Sequence, residues 1–184
     1  MDIKVFEGRP EDARSARETA AYDFLDKVGI KYRRADHDAA MTMEDCEDID
    51  RELGVVMCKN LFLCNRQKTD FYLLLMPGDK PFRTKDLSSQ LGVARLSFGS
   101  AEDMEAKLGL LPGAVSVMGL INDGAGAVRL LIDSELLEAE SFGCHPLVNT
   151  SSLTFSTREL LDVFLPAVKH TPTIVTLDRA EPIQ

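Results

Sequence analysis

NLFLCNRQKTDFYLLLM, Asn60–Met76, decides the fold class. Two apolar runs, Asn60–Asn65 and Phe71–Met76, flank the polar pentapeptide RQKTD, the pattern of two strands joined by a hairpin turn. Pro77 and Gly78 stop the second run. Upstream, Pro10 precedes a helical pattern in which Ala13, Ala16, Ala20, Ala21, Phe24, Leu25 and Val28 recur at helical spacing until Gly29. Ile30–Arg34 reads as a short strand, and Thr42 as the cap of a second helix running to about Leu53. Downstream, Thr84 caps TKDLSSQL, Ala94–Phe98 reads as a strand, and Ser100 opens a helix closed by Gly109. LPGAVSVMGLIND is a loop with a short helical turn, DGAGA a turn, and VRLLID a strand. TIVTL, within the tail 171–184, has the composition of an edge strand. Helices and strands in this order give an α+β fold with a mixed, mainly antiparallel sheet.

The chain has 184 residues, which favours a single domain over 1–184, and at that size roughly 70% of the unfolded surface can be buried. No apolar run approaches the ~20 residues of a membrane span, and MDIKVFEGRPEDAR lacks the apolar core of a signal peptide. A soluble, cytoplasmic protein is expected. Cys46, Cys58, Cys64 and Cys144 form no C-x-x-C pair and read as reduced thiols. The net charge of −9 argues against broad binding to nucleic acid. It leaves room for a local basic mouth, because Lys59, Arg66, Lys68, Lys80, Arg83 and Lys85 fall close together in sequence; a solvated charged face is the plainer reading.

The densest polar run is FGCHPLVNTSSLTFS, Phe142–Ser156. Part of it is a helix start: Ser156 precedes Glu159 by three residues and an apolar run follows, ended by Pro166. Leu153 and Phe155 read as alternate residues of a strand. Before Pro146, His145 is biased to extended geometry, and Gly143 permits an unusual backbone just upstream. The segment thus presents His145, Asn149, Thr150 and Ser152, either to a site or to a turn that satisfies its own backbone. Cys144 and His145 are neighbours in an extended stretch and point to opposite faces, which weakens a thiolate–imidazole pair. No zinc-ligand spacing, phosphate-binding glycine loop or G-x-S-x-G elbow occurs, so neither metal nor cofactor is expected. Lys59, inside VVMCKNLFLC, is costly unless its ammonium reaches water or an anion; it either snorkels to the surface or holds an anion at the rim of a pocket.

CKNLFL, LPGAVSVMGL and FGCHPLVNTSSLTFS, in this order, resemble the YbaK-like aminoacyl-tRNA deacylases, freestanding relatives of the editing domain of bacterial prolyl-tRNA synthetase, and within them the type associated with that synthetase. The resemblance runs from about Ala16 to Leu177. It implies a curved, mixed, mainly antiparallel sheet surrounded by helices, and metal-free hydrolysis of mischarged tRNA, with alanine on tRNA(Pro) as the expected substrate. It implies catalytic roles for Lys59, at the acceptor end, for Gly113, whose loop faces the aminoacyl group, and for His145. It implies substrate contacts from His37, Ala114, Val115, Ser116, Val117, Asn149 and Thr150. Relatives often carry Pro where this chain has Val117. The implied partners are the acceptor end of tRNA(Pro) and prolyl-tRNA synthetase. In this reading backbone N–H groups of the Gly113 loop stabilise the oxyanion, small residues such as Gly113, Ala114 and Ser116 form the wall that excludes proline, and a local basic rim grips the tRNA. Two alternatives are a catalytically silent tRNA- or synthetase-binding module and a Cys-tRNA(Pro) deacylase.

Overall fold

A computed structural model describes residues 2–40 and 43–179. The hairpin forms as read. β3 (Cys58–Cys64) and β4 (Phe71–Pro77) pair antiparallel, from Cys58 opposite Pro77 to Cys64 opposite Phe71. Asn65 organises the turn: its Oδ1 accepts from the N–H groups of Thr69 (2.9 Å) and Asp70 (3.1 Å). β4 is buried along its whole length because both its faces are covered. Phe71, Leu73 and Leu75 enter the larger core, and Tyr72, Leu74 and Met76 enter a second core on the opposite face. The unbroken apolar run FYLLLM reflects that position.

Around the hairpin lies a five-stranded sheet in the order β5-β3-β4-β6-β9, with β5 at Ser97–Phe98, β6 at Val128–Asp133 and β9 at Thr173–Val175. β4–β6 and β6–β9 are parallel, and β9 is an edge strand, as its composition suggested. A second, four-stranded sheet is antiparallel throughout, in the order β1-β2-β8-β7: Lys4–Glu7, Arg33–Asp36, Ser151–Ser156 and Ser141–Cys144. The fold is α+β and mainly antiparallel, as expected, but the strands divide between two sheets. A parallel bridge between Met57 and Gly143 joins them.

The helices are α1 (Ala16–Val28), α2 (Met43–Leu53), α3 (Thr84–Leu91), α4 (Ala101–Leu108) and α5 (157–167). Ser100 and Ser156 cap α4 and α5 by accepting from Asp103 N and Glu159 N. Several boundaries differ from the reading above. β1 was not foreseen, and the strand expected at Ile30–Arg34 is Arg33–Asp36. α1 starts after Ser15, whose hydroxyl accepts from Glu18 N, so the stretch after Pro10 stays outside it. Thr84 is the first residue of α3, not its cap. Thr42, the expected cap of α2, lies outside the described residues. Pro166 does not end α5. A π-helical segment, Leu160–Phe164, precedes it and sends the Leu165 N–H to Leu160 O, and the helix continues to Ala167. Among the described residues no helix is long and apolar enough to cross a membrane.

Gly143 serves a purpose other than backbone freedom, since its φ is not positive. A Cβ there would lie 2.2 Å from Met57 Sδ and 3.3 Å from Met57 Cα. A Cβ on Gly78 would lie 2.5 Å from the Met57 carbonyl oxygen. A glycine of the four-stranded sheet and one in the turn after β4 therefore crowd the residue at which the sheets meet. Gly78→Ala should destabilise the fold by about 1–3 kcal/mol, since a backbone atom must move, whereas Gly124→Ala, with open space around it, should stay within about 0.5 kcal/mol. Urea denaturation checks both; equal midpoints would contradict the crowding.

Candidate active site

Beside this junction lies a cavity of about 470 Å³, within the range of small-ligand sites. Lys59 enters from the start of β3, and Gly78 and Asp79 from the turn after β4. Gly113 comes from the loop after α4, His145 and Asn149 from the β7–β8 connection, and Ser152 from β8. α2 supplies Cys46, Glu47, Ile49 and Asp50. Val56, Met57 and Cys58 complete a mostly apolar wall. Four residues singled out from sequence, Lys59, Gly113, His145 and Asn149, thus converge from three separate parts of the chain.

The half-buried Lys59 donates from its ammonium to Lys80 O at 2.6 Å. Among the described residues it makes no ion pair, so its other two N–H bonds remain for a ligand. His145 sits 3.1 Å from Ser151 O through Nδ1, which must carry the proton to make that bond and leaves Nε2 as the acceptor. Burial pushes its pKa below the ordinary histidine value, outweighing the Ser151 bond, and nearby His37 pushes the same way. Ser116, fully buried, donates to the His145 carbonyl at 2.6 Å and fixes the backbone there. Leu147, two residues on, has φ +64°, a conformation side chains other than glycine seldom adopt. Gly113 has φ +86°, and a Cβ on it would lie 3.5 Å from Asn149 Nδ2. The two residues thus face each other closely.

Other expected site residues lie elsewhere. Ala114 and Val117 are buried in the protein interior, Val115 packs against the main core, and Ser116 stands behind His145. The Ala114 N–H is occupied by Leu111 O, so it is not available as a donor, and Gly113 is the loop residue that lines the cavity. The chain must turn inward after Gly113 to start the 3₁₀ turn Val117–Asn122, and that withdraws these side chains. Thr150 is exposed and contributes its carbonyl to His37 N. His37 is one step removed: its Nε2 lies 2.9 Å from Ser152 Oγ, and Ser152 lines the cavity.

Of the six basic residues expected at a common mouth, only Lys59 lines this cavity. Lys80 is buried against Asp133, Arg83 pairs with Asp86, and Lys68 pairs with Asp103. Arg66 follows the far end of β3, about 20 Å from Lys59 at the rise of a strand. Among the described residues Lys59 is the one lysine or arginine in the wall, which also carries Glu47, Asp50 and Asp79. Burial raises the Asp50 pKa, partly offset by a hydrogen bond from Met57 N. The thiols are poor nucleophiles: burial pushes Cys144 up to about 12 and Cys58 well above its usual value. Among the described residues no group of three or more His, Cys, Asp or Glu is arranged to hold a metal ion.

The sequence reading missed the α2 wall and the Gly78–Asp79 turn. The turn was within reach of hairpin arithmetic, because pairing Cys58 with Pro77 brings residues 78 and 79 beside Met57.

The aminoacyl-tRNA editing domain model matches residues 37–163. The chain belongs to that family. This editing domain is 32% identical over 136 residues to a protein of Acetoanaerobium sticklandii named prolyl-tRNA editing protein ProX, covering 74% of this chain and 83% of the relative. A Danio rerio protein named prolyl-tRNA synthetase associated domain-containing protein 1 is 29% identical over 171 residues, covering 92% of this chain and 90% of the relative. A crystal structure described as a candidate trans-editing enzyme for prolyl tRNA synthetase shares the fold, with a TM-score of 0.67, 14% identity, and coverage of 90% of this chain and all of that one. Membership makes the chain an aminoacyl-tRNA deacylase. Removing the Ser116 hydroxyl leaves the His145 carbonyl without its donor, so Ser116→Ala should lower the stability of this editing domain by about 1–3 kcal/mol in urea denaturation. An unchanged midpoint would contradict that role.

Proposed function

We propose that the cavity beside Lys59 hydrolyses the ester of mischarged tRNA(Pro) in trans, with alanine as the acyl group removed. The observation that supports this reading most is the convergence of Lys59, Gly113, His145 and Asn149 on one cavity. The names of the relatives, a prolyl-tRNA editing protein and a prolyl-tRNA synthetase associated protein, favour tRNA(Pro) as substrate and the synthetase as partner.

An aminoacyl ester is already activated, so holding water and ester together supplies much of the acceleration. The Lys59 ammonium contacts a phosphate or ribose oxygen of the terminal adenosine with the N–H bonds that Lys80 O leaves unused. The Gly113 N–H donates to the developing oxyanion. His145 enters neutral, with Nδ1 protonated and Nε2 able to accept a proton from water or from a ribose hydroxyl. Asn149 anchors the side of the cavity facing Gly113. Three carboxyl groups and one ammonium in the wall suit a substrate end that carries a cationic α-amine more than they suit a run of phosphates.

Selection is by bulk. A synthetase pocket built for proline rejects alanine weakly, because each lost methylene changes binding by only ~1–3 kcal/mol, and a second site that admits alanine and excludes proline completes the sieve. With Ala114 and Ser116 turned inward, Gly113, Ile49, Met57 and Cys58 form the excluding wall.

Incubation with Ala-tRNA(Pro), Pro-tRNA(Pro), Cys-tRNA(Pro) and Ser-tRNA tests the reading. Alanine should be released faster than in the protein-free control and proline should not. Preference for cysteine would overturn the substrate, and no release from any of them would leave a binding module. Lys59→Ala should slow alanine release on the order of 100-fold with the fold intact, while Cys144→Ala should stay within about threefold. Because burial lowers the His145 pKa, the neutral ring persists as pH falls through the ordinary histidine value. Catalysis, corrected for spontaneous hydrolysis, should therefore decline only below about pH 6.5. A decline centred above that value would contradict a neutral His145.

A further inference from the structure

Lys59 is held by a carbonyl that has an anchor of its own. Lys80, which supplies the carbonyl, closes the turn after β4 with its N–H donating to Pro77 O at 3.1 Å. Its side chain does not go out to solvent. It is 3% exposed and runs inward to Asp133 Oδ2 at 2.8 Å and Glu135 Oε2 at 3.1 Å. Asp133, at the end of β6, is fully buried, and its other oxygen accepts from Glu135 N at 3.0 Å. Arg179 bridges Glu135 to Asp79 on the same turn.

Burial favours loss of the Lys80 proton, but Asp133 and Glu135 outweigh it and hold the pKa above the ordinary lysine value, so the ion pair persists inside the protein. A buried pair is a weak source of stability compared with apolar residues of similar volume, but this one holds the Lys80 ammonium between two carboxylates, by charge and not by a hydrogen bond to Asp133 Oδ2. The geometry fixed here is that of the turn whose carbonyl receives the Lys59 ammonium. A lysine side chain has four rotatable bonds, and without that acceptor its charge would be spread over many rotamers.

We infer that Lys80 is a positioning residue for deacylation: anchored by Asp133 and Glu135, it sets the backbone carbonyl that aims the Lys59 ammonium into the cavity. This rests on the reading of the cavity as the deacylation site.

The test is a cycle on Ala-tRNA(Pro) with wild type, Lys59→Ala, the paired variant Lys80→Met/Asp133→Asn, and all three changes together. The paired variant removes both charges, so no unpaired ion stays buried. It should keep a cooperative melt near that of wild type and release alanine about tenfold more slowly, in kcat more than in KM, and it should add no loss in the Lys59→Ala background. A merely structural role would lower both backgrounds alike. A folded paired variant at the wild-type rate, or an equal loss with and without Lys59, overturns the inference. Should the paired variant not fold, Glu135→Gln at the more exposed carboxylate carries the same cycle. Its loss should be about two- to threefold and vanish without Lys59; an unchanged rate, or a loss that persists, overturns the inference. A wild type without turnover refutes the deacylation reading and this inference together, whereas an active wild type with a silent cycle refutes the inference alone.

Discussion

Two glycines lie hard against Met57. Gly143 of the four-stranded sheet and Gly78 of the turn beyond the five-stranded sheet both approach it closer than any side chain at those positions would allow. This double approach joins the two sheets. It also sets the start of β3 against the end of β7, so that Lys59, two residues after Met57, shares a cavity with His145, two residues after Gly143. Without that approach the cavity would lose one wall. The cavity is a consequence of how two sheets meet, and Lys59 and His145 line it from the two strands that the junction brings together.

The electrostatics follow the same plan. His145 takes its orientation from Ser151 O, and Ser151 is itself tied down: its hydroxyl lies 3.0 Å from both Glu18 Oε1 and Asp36 Oδ1. Burial alone would raise the Asp36 pKa, but hydrogen bonds from Arg14, Arg34 and Ser151 outweigh it and hold it at about 2. Arg14 Nη2 reaches Asp36 at 2.7 Å, and Tyr22 donates to Glu18 at 2.7 Å. A buried polar network thus backs the start of β8, as the Lys80–Asp133 pair backs the start of β3. Lys59 and His145 are each held by a backbone carbonyl, Lys80 O and Ser151 O, whose own residue is anchored by charged partners.

Local signals were legible where local chemistry decides the outcome. The paired apolar runs of β3 and β4, Ser100 and Ser156 as caps, Gly29 and Gly109 as left-handed helix stops, and the turn at Asn65 all follow from a few neighbouring residues. Lys59, Gly113, His145 and Asn149 were legible by resemblance and do meet in one cavity. What escaped depends on packing between distant segments. The junction between the two sheets rests on Gly143, whose importance lies in a contact with Met57 and not in its own φ. The inward turn after Gly113 buries Ala114, Ser116 and Val117, and sequence spacing carries no sign of it. The basic cluster dissolved because proximity along a hairpin is not proximity in space: residues at opposite ends of a seven-residue strand are about 20 Å apart.

The most direct test is a crystal structure with a non-hydrolysable amide analogue of alanyl-adenosine. The account predicts density for the analogue in the cavity at the Met57 junction, with its aminoacyl group beside Gly113 and His145 and its ribose or phosphate oxygens within hydrogen-bond distance of Lys59 Nζ. An analogue bound elsewhere on the protein, with this cavity empty, would contradict it.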